Sequence, residues 1–131
     1  MTFNFLDNAS KDKGFYLIAL IDPDKKNDSK LDKILSKIQK SHFNAIFIGG
    51  SKIEDNHFSK RVKYIKSKTN LPIILFPGSS NQISEHISTM LYLNLISGRN
   101  PKYLIEEQVE GAIKINQLNI RTIPTAYILL N

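Results

Sequence analysis

Phe15-Tyr-Leu-Ile-Ala-Leu-Ile21 runs straight into Asp22-Pro-Asp-Lys25. An apolar run without polar alternation is the pattern of a strand covered on both faces, as in parallel sheets, and Asp-Pro-Asp ends it. The same arrangement recurs downstream. Asn44 to Ile48 ends in Gly49-Gly50-Ser51, Pro72 to Phe76 ends in Pro77-Gly78-Ser79-Ser80, and Thr89 to Ile96 ends in Ser97-Gly98-Arg99-Asn100-Pro101. A fifth run, Ile120 to Leu130, has Pro124 in its early part. Polar words thus gather at one end of the strands, the end where (β/α) barrels build their sites.

Between the strands the period changes. Leu31, Ile34, Leu35 and Ile38 recur at helical spacing, with Ser29 and Asp32 reading as a variant capping box. Phe58, Val62 and Ile65 predict a second helix. Only Ser80 to Ser88 separates the third and fourth strands, too short for a full crossover helix, so the third helix is expected to shrink to a turn or two. Asn100 as cap and Pro101 in the first turn open a last helix containing Tyr103, Leu104, Ala112, Ile113 and Ile115. The expected fold class is α/β, a partial TIM (β/α)8 barrel of about five parallel strands with a shortened third helix, in a single domain over residues 1–131. A doubly wound, flavodoxin-like sheet also has five parallel strands and stays open as an alternative.

Composition narrows the function. The chain has 131 residues, 41% hydrophobic and 23% charged, which suits one folded domain. Cysteine is absent, excluding disulfides, thiolate metal sites and cysteine nucleophiles. The formal net charge of +6 is scattered, and Lys25, Lys26, Lys30, Lys33, Lys37 and Lys40 lack the interleaved aromatics of a nucleic-acid platform. No nucleic-acid partner is expected. No apolar run reaches the roughly 20 residues needed to span a bilayer. The N-terminal stretch Met1 to Phe15 contains acids and no signal-like hydrophobic core, so the cytoplasm is expected. GxSxG, Walker and GxGxxG words are absent, removing the usual sequence arguments for a hydrolase, an NTPase or a dinucleotide enzyme.

What remains is oxygen chemistry at the strand ends. Side chains alternate along a strand, so Tyr16, Ile18, Leu20 and Asp22 share a face, and Asp22 reaches the rim if that face points into a barrel. Ser51 reaches the same rim from the second strand. A carboxylate, a hydroxyl and the oxygens of a diphosphate suit Mg²⁺, which prefers oxygen ligands and keeps several waters. Asp-Pro-Asp and Gly-Gly-Ser are also ordinary turn words. Asp24 and Lys25 either orient a ligand or cap the following helix and face water. Ser79, Ser80 and Asn81 offer hydroxyls and amides to an anion. Asn94, Ser97 and Arg99 close the fourth strand, where Arg99 either binds phosphate or pins a subunit contact. Phe76, Tyr92, Leu93 and Tyr127 line an apolar channel or simply fill the core. His42, His57 and His86 have no metal-ligand spacing and read as surface residues.

The words LIDPDK, IGGS, LFPGSSNQIS, LISGRNPKYLIEEQV and IPTAYILL, in this order, resemble the geranylgeranylglyceryl phosphate synthase family, also called PcrB-like. The SGRNP form resembles the branch with bacterial members of the Bacteroidetes type, and Leu20 stands where some other members have a lysine. The resemblance implies a magnesium-dependent prenyltransferase that joins sn-glycerol 1-phosphate to a polyprenyl diphosphate, giving an ether-lipid precursor. It implies Asp22 and Ser51 as magnesium ligands. Asp24, Lys25, Ser79, Ser80, Asn94 and Tyr127 are the further substrate-binding candidates; no catalytic residue is assigned.

The family's later YLEAGSGA-like and Gly-Gly-Gly words, which hold glycerol phosphate and the catalytic glutamate, are not in this sequence. The expectation is therefore an N-terminal part of the barrel, needing a completing segment or self-association into a homo-oligomer to cover its inner face. Peripheral membrane contact is also expected. The rival from another class is a catalytically inactive half-barrel serving as an interaction or structural fragment.

Overall fold

The computed structural model describes residues 15–51, 53 and 55–130. The stretch read above for a leader lies outside them except for Phe15. Five strands, β1 (Ile18–Ile21), β2 (Ala45–Ile48), β3 (Ile73–Leu75), β4 (Thr89–Leu95) and β5 (Arg121–Tyr127), form one sheet in the order β1-β2-β3-β4-β5. Every neighbouring pair is parallel, with registers such as Leu20 opposite Phe47 and Leu93 opposite Thr125. This sequential order is that of barrel staves and excludes the 2-1-3-4-5 order of a flavodoxin-like sheet.

Three α-helices connect the strands: α1 (Leu31–Gln39), α2 (Phe58–Ser67) and α3 (Glu107–Gln117). The crossover between β3 and β4 is reduced to a 3-10 turn at Ser80–Gln82, as its length requires. The capping-box expectation at Ser29 is corrected. A 3-10 segment, Lys25–Lys30, precedes α1, and its cap is Asp24, whose carboxylate accepts the Lys26 N–H at 3.0 Å. Asn100 does act as a cap, accepting from the Lys102 N–H at 3.0 Å. A π-helical segment, Lys102–Glu106, then leads into α3. That helix ends with Asn119 at φ 51° and the Ile120 N–H bonded to the Ile115 carbonyl, a left-handed C-terminal cap closed by two buried isoleucines.

The sheet has two unequal faces. Ala19, Ile21, Ile46, Ile48, Leu75 and Met90 pack on Leu31, Leu35, Ile38, Val62, Ile65 and Ile115 from the helices. Full burial of each of these side chains other than Ala19 is worth roughly 1.5–3 kcal/mol. The other face has a small buried patch, Ile74, Leu91 and Ile123, bordered by the partly buried Phe47, Phe76 and Leu93. Leu20, on that face, is 61% exposed. Pro124 lies in β5, whose only strand partner among the described residues is β4, so its missing N–H costs little at the open edge. Among the described residues, no helix is long and apolar enough to cross a membrane.

Candidate functional site

The ends of β1, β2 and β3 come together through glycine. A Cβ on Gly50 would lie 2.3 Å from Asp22 Oδ1, and one on Gly78 would lie 2.2 Å from the Gly50 carbonyl oxygen and 3.0 Å from Ser51 Cα. No larger residue fits either position without movement. Asp22, on the face shared with Leu20, thus rests its carboxylate on the backbone immediately before Ser51. Its Oδ2 pairs with Lys26 Nζ at 3.1 Å, while Oδ1 is buried without a hydrogen-bond partner. Lys26, rather than the candidate Lys25, is the lysine that meets this carboxylate; Lys25 is exposed. Asp24 is only 3% exposed and serves as the cap described above.

An orphaned carboxylate oxygen beside a serine is a fitting donor set for a hard cation, which takes oxygen ligands. Among the described residues no cluster of three or more His, Cys, Asp or Glu side chains could hold a metal by itself. A cation at Asp22 and Ser51 would therefore draw its other ligands from water and from a bound ligand's oxygens, as Mg²⁺ does with phosphates.

Ser51 also lines a cavity of about 440 Å³ at the strand ends, bordered by Ile83 of the shortened third crossover. Ser79, Ser80 and Tyr127 line it as well, with Phe76, Tyr92, Leu93 and Leu95 forming apolar wall. Phe76 stacks on Phe47 with ring centres 5.8 Å apart and takes the edge of Tyr127 at 5.6 Å. Tyr92 enters from the helix side, its hydroxyl donating to the Gln108 carbonyl at 2.9 Å. The polar candidates on this side are engaged internally. The Ser80 N–H donates to Glu107 Oε2 and its hydroxyl to Glu110 Oε2 at 3.0 Å, while the Ser79 hydroxyl donates to Asn81. Asn94 points to the helix layer and donates to the Leu104 carbonyl at 2.7 Å, away from the cavity.

Among the described residues, the buried polar Gln82, Arg61 and Ser84 escaped the sequence reading. Gln82 is 1% exposed and hydrogen-bonds to Gly50 and Gly78. Arg61, 7% exposed on α2, forks between Asp28 and Asp55, joining the segments that follow β1 and β2. Hydrogen bonds from Arg61 hold both carboxyls below the usual aspartate range, and Asp55 and Asp28 in turn raise the guanidinium's pKa. Asn27, beside Asp28, donates to the Asp22 carbonyl at 2.9 Å, so this clamp reaches the metal candidate's own backbone. His57 and His86 sit beside Asp55 and Glu85, and His42 is exposed; none lines the cavity.

Sequentially ordered parallel strands, short polar loops at their C-terminal ends and helices on one face define part of a (β/α) barrel. Within that class the chain belongs to the PcrB family, whose family model matches residues 8–131. It is 43% identical over 122 residues to the geranylgeranylglyceryl phosphate synthase of Flavobacterium johnsoniae, a match covering 93% of this chain and 50% of that protein. The enzyme of the same name from Zunongwangia profunda is 42% identical over 123 residues, 94% of this chain and 52% of that protein.

Two solved structures agree on the fold. Wild-type GGGPS from Thermoplasma volcanium superposes with a TM-score of 0.77 at 33% identity, covering 86% of this chain and 46% of that one. The Thermoplasma acidophilum (S)-3-O-geranylgeranylglyceryl phosphate synthase, solved with sn-glycerol-1-phosphate, gives 0.83 at 29% identity, covering 97% and 52%. The chain therefore spans about half the length of the relatives it matches.

Proposed function

We propose that this chain supplies the diphosphate-binding part of a magnesium-dependent prenyltransferase, which joins sn-glycerol 1-phosphate to a polyprenyl diphosphate of geranylgeranyl type. The observation behind this reading is the unpartnered Asp22 Oδ1, buried against Gly50 and next in space to the loop that bears Ser51. Asp22 and Ser51 would hold the Mg²⁺. The bound ion would offset the negative charge of the departing diphosphate.

The chain's own residues do the rest by positioning. Lys26 adds a positive charge beside Asp22. Phe76, Leu93, Leu95 and Tyr127 give the prenyl tail an apolar wall that keeps water from the reacting carbon. Ser79 and Ser80 lie at the cavity's polar end, reached by a diphosphate if their hydroxyls turn from Asn81 and Glu110. Asp24 supports the loop, and Asn94 supports the wall through its bond to Leu104. The cytoplasm, with peripheral contact to the membrane that takes the lipid product, is the setting this reading implies.

The exposed Leu20 favours one alternative, an inactive half-barrel whose inner face is covered by a completing segment or by a second copy. Incubation with labelled glycerol 1-phosphate, Mg²⁺ and geranylgeranyl diphosphate separates the two. Ether product that disappears in Asp22→Ala supports the transferase. Metal-dependent diphosphate binding that is lost in Asp22→Ala supports the site even without product, binding indifferent to Asp22 selects the inactive fragment, and absence of metal-dependent binding rejects the site altogether.

A further inference from the structure

Gln82 ends a three-residue turn in the shortest crossover of the fold, yet its side chain spans two strand ends. Nε2 donates to the Gly50 carbonyl at 2.6 Å. Oε1 accepts from the Gly78 N–H at 3.1 Å and, more weakly, from the Gly50 N–H at 3.5 Å. The registered pairing of β2 with β3 stops at Ile48 opposite Leu75, so the carboxamide takes over the pairing of Gly50 where the ladder has run out. A carboxamide offers a donor and an acceptor on separate atoms at this reach whatever the pH, whereas a carboxyl does so only when protonated. Burial makes the choice strict, because an unmet N–H or C=O in such a place is costly.

The peptide it holds is the one that matters for the site. Gly50 has no Cβ to restrain its backbone, its Cα faces Asp22 Oδ1, and Ser51 follows directly. Any rotation of this peptide moves Ser51 relative to Asp22. We propose that Gln82 is a positioning residue, its carboxamide locking the Gly50 peptide so that Asp22 and Ser51 stay aligned for a divalent cation and the diphosphate it binds. The proposal rests on the magnesium reading above. Gly78 belongs to the same device, since a side chain there would collide with Gly50, Ser51 and Gln82 Nε2.

The test uses Gln82→Met and Gln82→Glu in the full chain, with inorganic pyrophosphate and Mg²⁺ as probe in calorimetry. Amide hydrogen exchange at Gly50 and Gly78 is measured in parallel. Both variants are expected to bind roughly tenfold more weakly at temperatures where they are fully folded, with faster exchange at the two glycines and unchanged exchange at Ile46 and Ile48. In Gln82→Glu the deficit relative to wild type should narrow from about pH 8 to about pH 6, as the buried carboxyl takes up a proton and regains a donor for Gly50. Wild-type affinity in either folded variant overturns the proposal, as does a deficit that follows thermal stability alone and ignores pH. If the wild type binds no pyrophosphate, the magnesium reading falls by itself. Glycine exchange then decides whether Gln82 holds the turn, and unchanged exchange refutes it. Should Gln82→Met fail to fold, Gln82→Glu with its pH profile decides.

Discussion

The helix-covered face of the sheet and its opposite face are built from the same strands and similar residues, yet only one behaves as a finished core. Ile46, Ile48, Val62, Ile65 and Leu75 are wholly shielded on the first. On the second, Ile74, Leu91 and Ile123 are shielded while Leu20 on the same sheet face stands in the open. The difference teaches where stability and ligand chemistry separate. Helices packed on alternate residues of β1 to β4 hold the fold, while the residues between them, such as Leu20, Phe76 and Leu93, join Tyr92 from the covered side in lining the cavity.

The strongest challenge to that division is a pair of truncations. Ile65→Ala on the covered face should cost about 2–5 kcal/mol, the usual range for a buried large-to-small change, measured by denaturant unfolding. Its counterpart is Leu20→Ala, which should change stability by less than about 0.5 kcal/mol, as expected of a surface position. Equal losses would mean that the second face is covered in solution.

Arg61 sharpens the comparison at the junction between covered layer and rim. Arg61→Met should lower the melting temperature at neutral pH, since it removes the shared partner of Asp28 and Asp55. The two carboxyls are held below their ordinary range in the folded protein. Their contribution is therefore complete above about pH 4 and drains away as pH falls through the lower folded values. A melting-temperature profile in acid should be steep for wild type and shallower for Arg61→Met. Parallel profiles would show that the clamp does not couple to folding.

A smaller effect is expected on the open face. Phe76→Ala should destabilise by roughly 1 kcal/mol, short of the value for full burial, because the ring is only partly buried between Phe47 and Tyr127. It should weaken geranylgeranyl diphosphate binding several-fold while leaving pyrophosphate binding near wild type. A matching loss for both ligands would place Phe76 in the scaffold rather than the apolar wall.

Much of the architecture was legible because its signals are local. Five apolar runs, four of them stopped by Asp-Pro, Gly-Gly, Pro-Gly and Ser-Gly, mark the strands, and the short Ser80–Ser88 gap announces the missing helix. The capping residue was misread at Ser29 because a 3-10 segment, capped by Asp24, takes the place of the first turn. Gln82 and Arg61 left no such signal. A glutamine after a Ser-Ser-Asn turn and an arginine among helix lysines look like surface residues until partners 32 and 33 positions away surround them.

The amino-acid order by itself settled the parallel strands, their crossovers and the presence of oxygen donors at one end, since runs, breakers and spacing act within a few residues of each other. Tertiary structure alone decided that Lys26 rather than Lys25 meets Asp22, that Asn94 turns to the helices, and that Gln82 secures Gly50. Those choices depend on which backbone groups lack a partner after the sheet has assembled, and such vacancies exist only in three dimensions.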